Sequence, residues 1–64
     1  MKNDFIYIVK ACFSEDEVVL GHWLSLGTAK SDVKRFDWGM YSSLWIEKVR
    51  IGRYSKPIVV WQSK

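Results

Sequence analysis

Cysteine occurs once in this 64-residue chain, at Cys12, and proline once, at Pro57. One cysteine cannot close a disulfide within the chain. With His22, the single histidine, it falls short of the four soft ligands that a structural zinc usually takes. A lone free thiol fits a reducing cytoplasm. Long apolar runs are missing too, which argues against a membrane span. The start, Met1-Lys2-Asn3-Asp4, leads straight into strand-like sequence and does not read as a signal peptide. No glycine-rich phosphate loop is present, because Gly27 and Gly39 have no P-loop spacing. The polar run Ser14–Glu17, SEDE, lacks the spaced oxygen ligands and the glycine of a calcium loop, so it reads as a solvated turn. The expectations are no cofactor, no metal and no membrane.

What is present is aromatic and unevenly charged. The length sets one domain, residues 1–64. A chain this short buries only about 60% of the surface its unfolded form exposes, so it needs a dense apolar core or association. Four tryptophans, three tyrosines and three phenylalanines are more than one helix and a few strands can hide. Some are expected on a surface, as at interfaces.

Phe5 to Phe13, FIYIVKACF, is β-branched and aromatic, with both alternating faces largely apolar, as in a central strand. SEDE follows as a hairpin turn, then Val18 to Trp23, VVLGHW, as a second strand. Gly21 within it suggests a bulge or a close approach. The stretch Leu24 to Gly39 reads as a helix. Ser25 is its N-cap, and Leu26, Ala29, Val33 and Phe36 form one apolar stripe. Lys30, Asp32, Lys34 and Arg35 fall on the other side, and Gly39 suits the C′ position. Leu44 to Ile51 is a third strand and Ile58 to Trp61 a fourth. Pro57 cannot donate to a ladder, which places the fourth strand at an edge or makes Pro57 its entry. The order is β-β-α-β-β. The simplest build is an α+β fold, a four-stranded antiparallel sheet with one helix packed on one face. The opposite face of the sheet is then uncovered.

Catalysis finds little support. Cys12 and His22 fall on neighbouring strands, yet a Cys–His nucleophile also needs a polarised thiolate and an oxyanion site. A small buried thiol and a surface histidine is the simpler reading, and the chain is expected to be non-enzymatic. Charge points elsewhere. Residues 1–24 set Lys2 and Lys10 against Asp4, Glu15, Asp16 and Glu17, whereas residues 25–64 are basic overall, within a net charge of +3. Such asymmetry suits an anionic partner. Arg50, Arg53, Lys56 and Lys64 lie around the last hairpin with Tyr54 and Trp61 among them, a pattern that can neutralise phosphates and stack on bases. Lysine and arginine also guard edges and turns, and no RNA-recognition-motif signature is present. Protein binding is the other reading. Trp23, Trp45 and Trp61 could build a patch on the sheet face, because Trp, Tyr and Arg dominate interface hot spots. The same face could join two copies as a homodimer.

Taken together, FIYIVKA, a second strand, SLGTAK opening one helix, then LWIEKV and a short last strand resemble small phage-encoded β-β-α-β-β proteins. Among these, inhibitors of type I CRISPR–Cas surveillance complexes are similar in length, in order and in the phrase Ser25-Leu26-x-x-Ala29-Lys30, followed later by Ile46-Glu47. The resemblance implies an anti-CRISPR-like accessory protein of a phage or mobile element. It would act in the host cytoplasm and inhibit a host defence complex by binding a protein or ribonucleoprotein. The basic half disfavours mimicry of a DNA duplex and favours charge complementarity. The residues expected at the contact are Lys30, Lys34 and Arg35 on the helix, with Arg50, Arg53, Tyr54 and Lys56 near the last hairpin. The alternatives are a sequence-tolerant nucleic-acid binder and a plain structural or self-associating domain.

Overall fold

The strand with two apolar faces lies inside the sheet. In the computed structural model, which describes residues 4–36, 41–52 and 56–63, β1 (Phe5–Phe13) has a hydrogen-bonded neighbour on each side. The chain continues through β2 (Asp16–Trp23), α1 (Leu26–Val33), a 3-10 turn (Lys34–Phe36), β3 (Ser43–Arg50) and β4 (Ile58–Gln62). The strands form one antiparallel sheet in the order β2-β1-β3-β4, with α1 packed on one side. This is the α+β architecture expected from the sequence. β4 is an edge strand entered just after Pro57, where a missing N–H costs the ladder nothing.

The first hairpin is tighter than expected. β2 begins at Asp16 rather than Val18, so only Ser14 and Glu15 turn the chain, and Phe13 pairs with Asp16. Ser14 has φ 62°, the sign required at the first position of a type II′ turn.

Register decides which side chains meet the helix. Val9 and Ala11 of β1 pair with Ile46 and Leu44 of β3, and all four are buried under α1. Tyr7 and Phe5 share that side, as do Lys48 and Arg50, their partners on β3. The even residues of β1 and the odd residues of β3 form the opposite side, open in that no other described element packs on it: Ile6, Ile8, Lys10 and Cys12 with Ser43, Trp45, Glu47 and Val49.

Each edge strand carries one bulge. Val9 pairs with Gly21 and Lys10 with Val19, which leaves Leu20 as the extra residue of β2. Ile46 pairs with Trp61 and Glu47 with Val59, which leaves Val60 as the extra residue of β4. A bulge switches which residues of a strand face inward. In β2 the inward set changes from Val18 to Gly21 and Trp23; in β4 it changes from Ile58 to Trp61. The extra residues Leu20 and Val60 pack against the core as well. Trp23 and Trp61 therefore lie on the helix side, and Trp45 alone of the expected tryptophan trio is on the open face.

The helix stripe is as expected. Ala29 and Val33 are buried, and Leu26 and Phe36 pack against the core. The Ser25 hydroxyl accepts a hydrogen bond from the Thr28 amide at 3.2 Å, the N-cap geometry. Regular α-helix ends at Val33, and Lys34–Phe36 tightens to 3-10. Gly39, the expected close of the helix, lies outside the described residues. Asp32 departs from its expected place among the exposed charges. It is only 8% exposed, because its carboxylate points back toward β2.

Candidate binding surfaces

The sheet has two sides of different electrical character. On the helix side, Lys30, Lys34 and Arg35 are exposed on α1 and the 3-10 turn, and Lys48 and Arg50 project from the uncovered end of β3. Lys48 Nζ stands 4.2 Å from the centroid of the Phe5 ring, and the Arg50 guanidinium is 5.7 Å from it. The ring's negative face holds these two cations together at one end of the sheet. Among the described residues, Asp32 offsets the charge of Arg35 on this side. Asp32 is buried and reaches Arg35 at 3.7 Å, and Asp16 sits at the hairpin end, facing the side of its partner Phe13. Of the residues expected at the contact, Lys30, Lys34, Arg35 and Arg50 share this side. Lys56 is exposed just before β4. Arg53 and Tyr54 lie outside the described residues, as does Lys64. Lys48, not among the residues expected at the contact, stands on the same side, in alternation with Arg50 along β3.

The open side is largely apolar around a charged centre in which one lysine faces two carboxylates. Lys10 Nζ donates to Glu17 Oε2 at 2.8 Å and pairs with Glu47 Oε1 at 3.1 Å. The Trp45 indole N–H donates to the other Glu47 oxygen at 2.8 Å. The hydrogen bond to Glu17 raises the Lys10 pKa above the ordinary 10.5; burial pulls the other way, and Glu47 adds to the rise. Around this triad lie Ile6, Ile8, Val49, Val19 and Val59. Val19 and Val59 are 62% and 49% exposed.

A third feature is the contact between α1 and β2. The Trp23 indole N–H donates to Asp32 Oδ2 at 3.0 Å, and a shallow pocket of about 130 Å³ opens beside them, lined by Trp23, Thr28, Ser31, Asp32 and Arg35. Its volume is well below the ~300–1,000 Å³ typical of small-molecule sites. Gly21 is both a bulge neighbour and a close approach, since it faces this carboxylate.

The register does not assemble a Cys–His pair. His22 pairs with Ile8 and Cys12 with Glu17, so the two lie on one face but four β1 positions apart, roughly 13 Å. The Cys12 thiol instead donates to the Ser14 carbonyl at 3.5 Å. Among the described residues, no group of three or more His, Cys, Asp and Glu side chains is placed to hold a metal ion, and no helix is long and apolar enough to cross a membrane. No protein-family model matches the chain, nor does any curated protein or solved structure.

Proposed function

We propose that this chain is a non-enzymatic accessory protein of a phage or mobile element that inhibits a host defence complex by binding it in the host cytoplasm. The observation that carries the binding role is the segregation of charge across the sheet. Lys30, Lys34, Arg35, Lys48 and Arg50 share the helix side, whereas the open side holds Lys10 already paired with two carboxylates. Such a one-sided basic surface steers the chain toward an acidic protein patch or the phosphates of a ribonucleoprotein. The resemblance to small anti-CRISPR proteins supplies the class of target, a type I surveillance complex. The test is co-elution of the chain with a purified type I complex and a measurement of that complex's binding to target DNA. Inhibition that Lys34→Glu with Arg50→Glu weakens at least tenfold supports the reading. The absence of both co-elution and inhibition overturns the target, and inhibition indifferent to the double variant overturns the surface.

Direct, sequence-tolerant binding of nucleic acid is the second reading, favoured by the basic cluster at Phe5. Against it, Lys48 already covers the Phe5 ring, so a base would have to displace that cation before stacking. A mobility-shift assay at low salt separates the two. A complex that dissociates steeply as salt rises supports the nucleic-acid binder; no shift with single- or double-stranded probes removes it.

A further inference from the structure

The geometry points to a dimer in which two copies of this chain pack their open sheet faces together. The inference does not rest on the inhibitory role, which uses the opposite side of the sheet.

The first reason is the size of the core. Among the described residues, the buried apolar ones are Val9, Ala11, Ala29, Val33, Leu44 and Ile46, two of them alanine. Domains of this length usually need a staple or a partner, and Cys12 has no second cysteine to pair with. Burying a second sheet face supplies apolar area that one helix does not.

The second reason is area. A four-stranded face with strands about 4.8 Å apart and roughly 25 Å long projects on the order of 500 Å². With side-chain relief this approaches the ~800 Å² per partner of a standard interface. Two sheets packed face to face at a small angle make a sandwich about 10 Å between layers.

The third reason is charge. A symmetric dimer sets each surface against itself. The helix side would bring Lys30, Lys34, Lys48 and Arg50 against like charges. The open side sets less charge against a copy, since Lys10 offsets one of the two carboxylates Glu17 and Glu47 within one chain and leaves a single net negative charge. The triad keeps one negative charge in excess, and Glu17, 57% exposed on the edge strand β2, can hold that charge in water at the rim while Lys10 and Glu47 are covered as a pair. The edges are poorer routes to a dimer. Leu20 in β2 and Val60 in β4 interrupt the two edge ladders with bulges, a device that discourages edge-to-edge pairing.

The experiment is sedimentation equilibrium of the full chain over a wide concentration range. The expected result is a species of twice the 7.5 kDa chain mass. Val19→Lys combined with Val59→Lys places charge on the open face at positions exposed in the single chain. It should raise the dimer dissociation constant at least tenfold with an unchanged circular dichroism spectrum. Lys30→Glu with Lys34→Glu, on the opposite side, should leave the dimer intact. A wild-type chain that stays monomeric at every concentration overturns the proposal, whatever partner the face then takes. So does a Val19/Val59 variant that dimerises as tightly as wild type. Dissociation of the dimer by the Lys30/Lys34 variant alone would move the interface to the helix side and overturn it equally.

Discussion

Gly21 and Asp32 meet across the gap between sheet and helix: a Cβ on Gly21 would stand 3.4 Å from Asp32 Oδ2 and 3.7 Å from the Trp23 indole nitrogen. The absent side chain leaves room for a carboxylate from α1 to enter and take the Trp23 N–H. Alanine at 21 makes ordinary van der Waals contact and should change stability by less than about 0.5 kcal/mol. Valine should push on the carboxylate and cost about 1–3 kcal/mol. Asp32→Ala should cost a similar ~1–3 kcal/mol, because it leaves the part-buried indole N–H without its acceptor. Urea denaturation of the three variants checks the order. A valine variant as stable as wild type would mean that the carboxylate is not confined there.

Lys10 ties three strands together, β1 to β2 through Glu17 and β1 to β3 through Glu47. Its pKa is raised above 10.5 in the folded chain. The stability it contributes is therefore fully present below its unfolded value and is lost as pH rises through the folded one. The difference in melting temperature between wild type and Lys10→Met should be constant from pH 7 to about pH 9, then shrink as the pH climbs past about 10.5. At neutral pH the variant should lose on the order of 1–2 kcal/mol, since Glu47 is left half-sequestered without its cation.

The first hairpin holds a correctable strain. Ser14 takes φ 62°, where a Cβ is disfavoured. Ser14→Gly should stabilise the chain by about 0.5–1 kcal/mol, partly offset by the greater freedom glycine has when unfolded. A rise in the urea midpoint without a change in slope is the expected readout.

The N-cap carries the start of a short helix. Ser25 Oγ accepts from the Thr28 amide and donates to the Thr28 hydroxyl at 2.8 Å. Ser25→Ala should cost about 1 kcal/mol, and Ser25→Asp should recover most of it, because the carboxylate also suits the positive end of the helix. Thermal melts of the pair test this, and equal melting of alanine and wild type would deny the cap its role.

How far these features could be read in advance depended on the range of the interaction that makes them. The stripe Leu26, Ala29, Val33, Phe36 and the two-sided apolarity of β1 are local patterns, and both lie where periodicity places them. Pro57 announces an edge through the chemistry of one residue. The edge bulges are pairing events between strands. Nothing in VVLGHW except Gly21 marks that Leu20 is the extra residue, so which tryptophans face inward was not legible. Asp32 failed for a related reason. Its position on the helix is polar by spacing, and only the space at Gly21 and the donor on Trp23 draw it inward. The basic surface was half legible. The helix cations stood out, whereas joining Lys48 and Arg50 to the same side required the register of β3 against β1.

The bulges at Leu20 and Val60 also set how this gene can change. Loss of one codon within a surface loop usually shortens the loop and leaves the strands alone. Loss of the codon for Leu20 or Val60 would remove the bulge and leave every residue beyond it on its present side, because Val19 and Gly21 already pair with the neighbours Lys10 and Val9, and Val59 and Trp61 with the neighbours Glu47 and Ile46. Trp23 would keep Asp32 and Trp61 its place on the helix side, at the cost of the packing of the lost side chain. Loss of a codon within β1, which pairs with β3 without an extra residue, would instead turn the rest of that strand over. The two edge strands can therefore shorten by one residue where the central strand cannot.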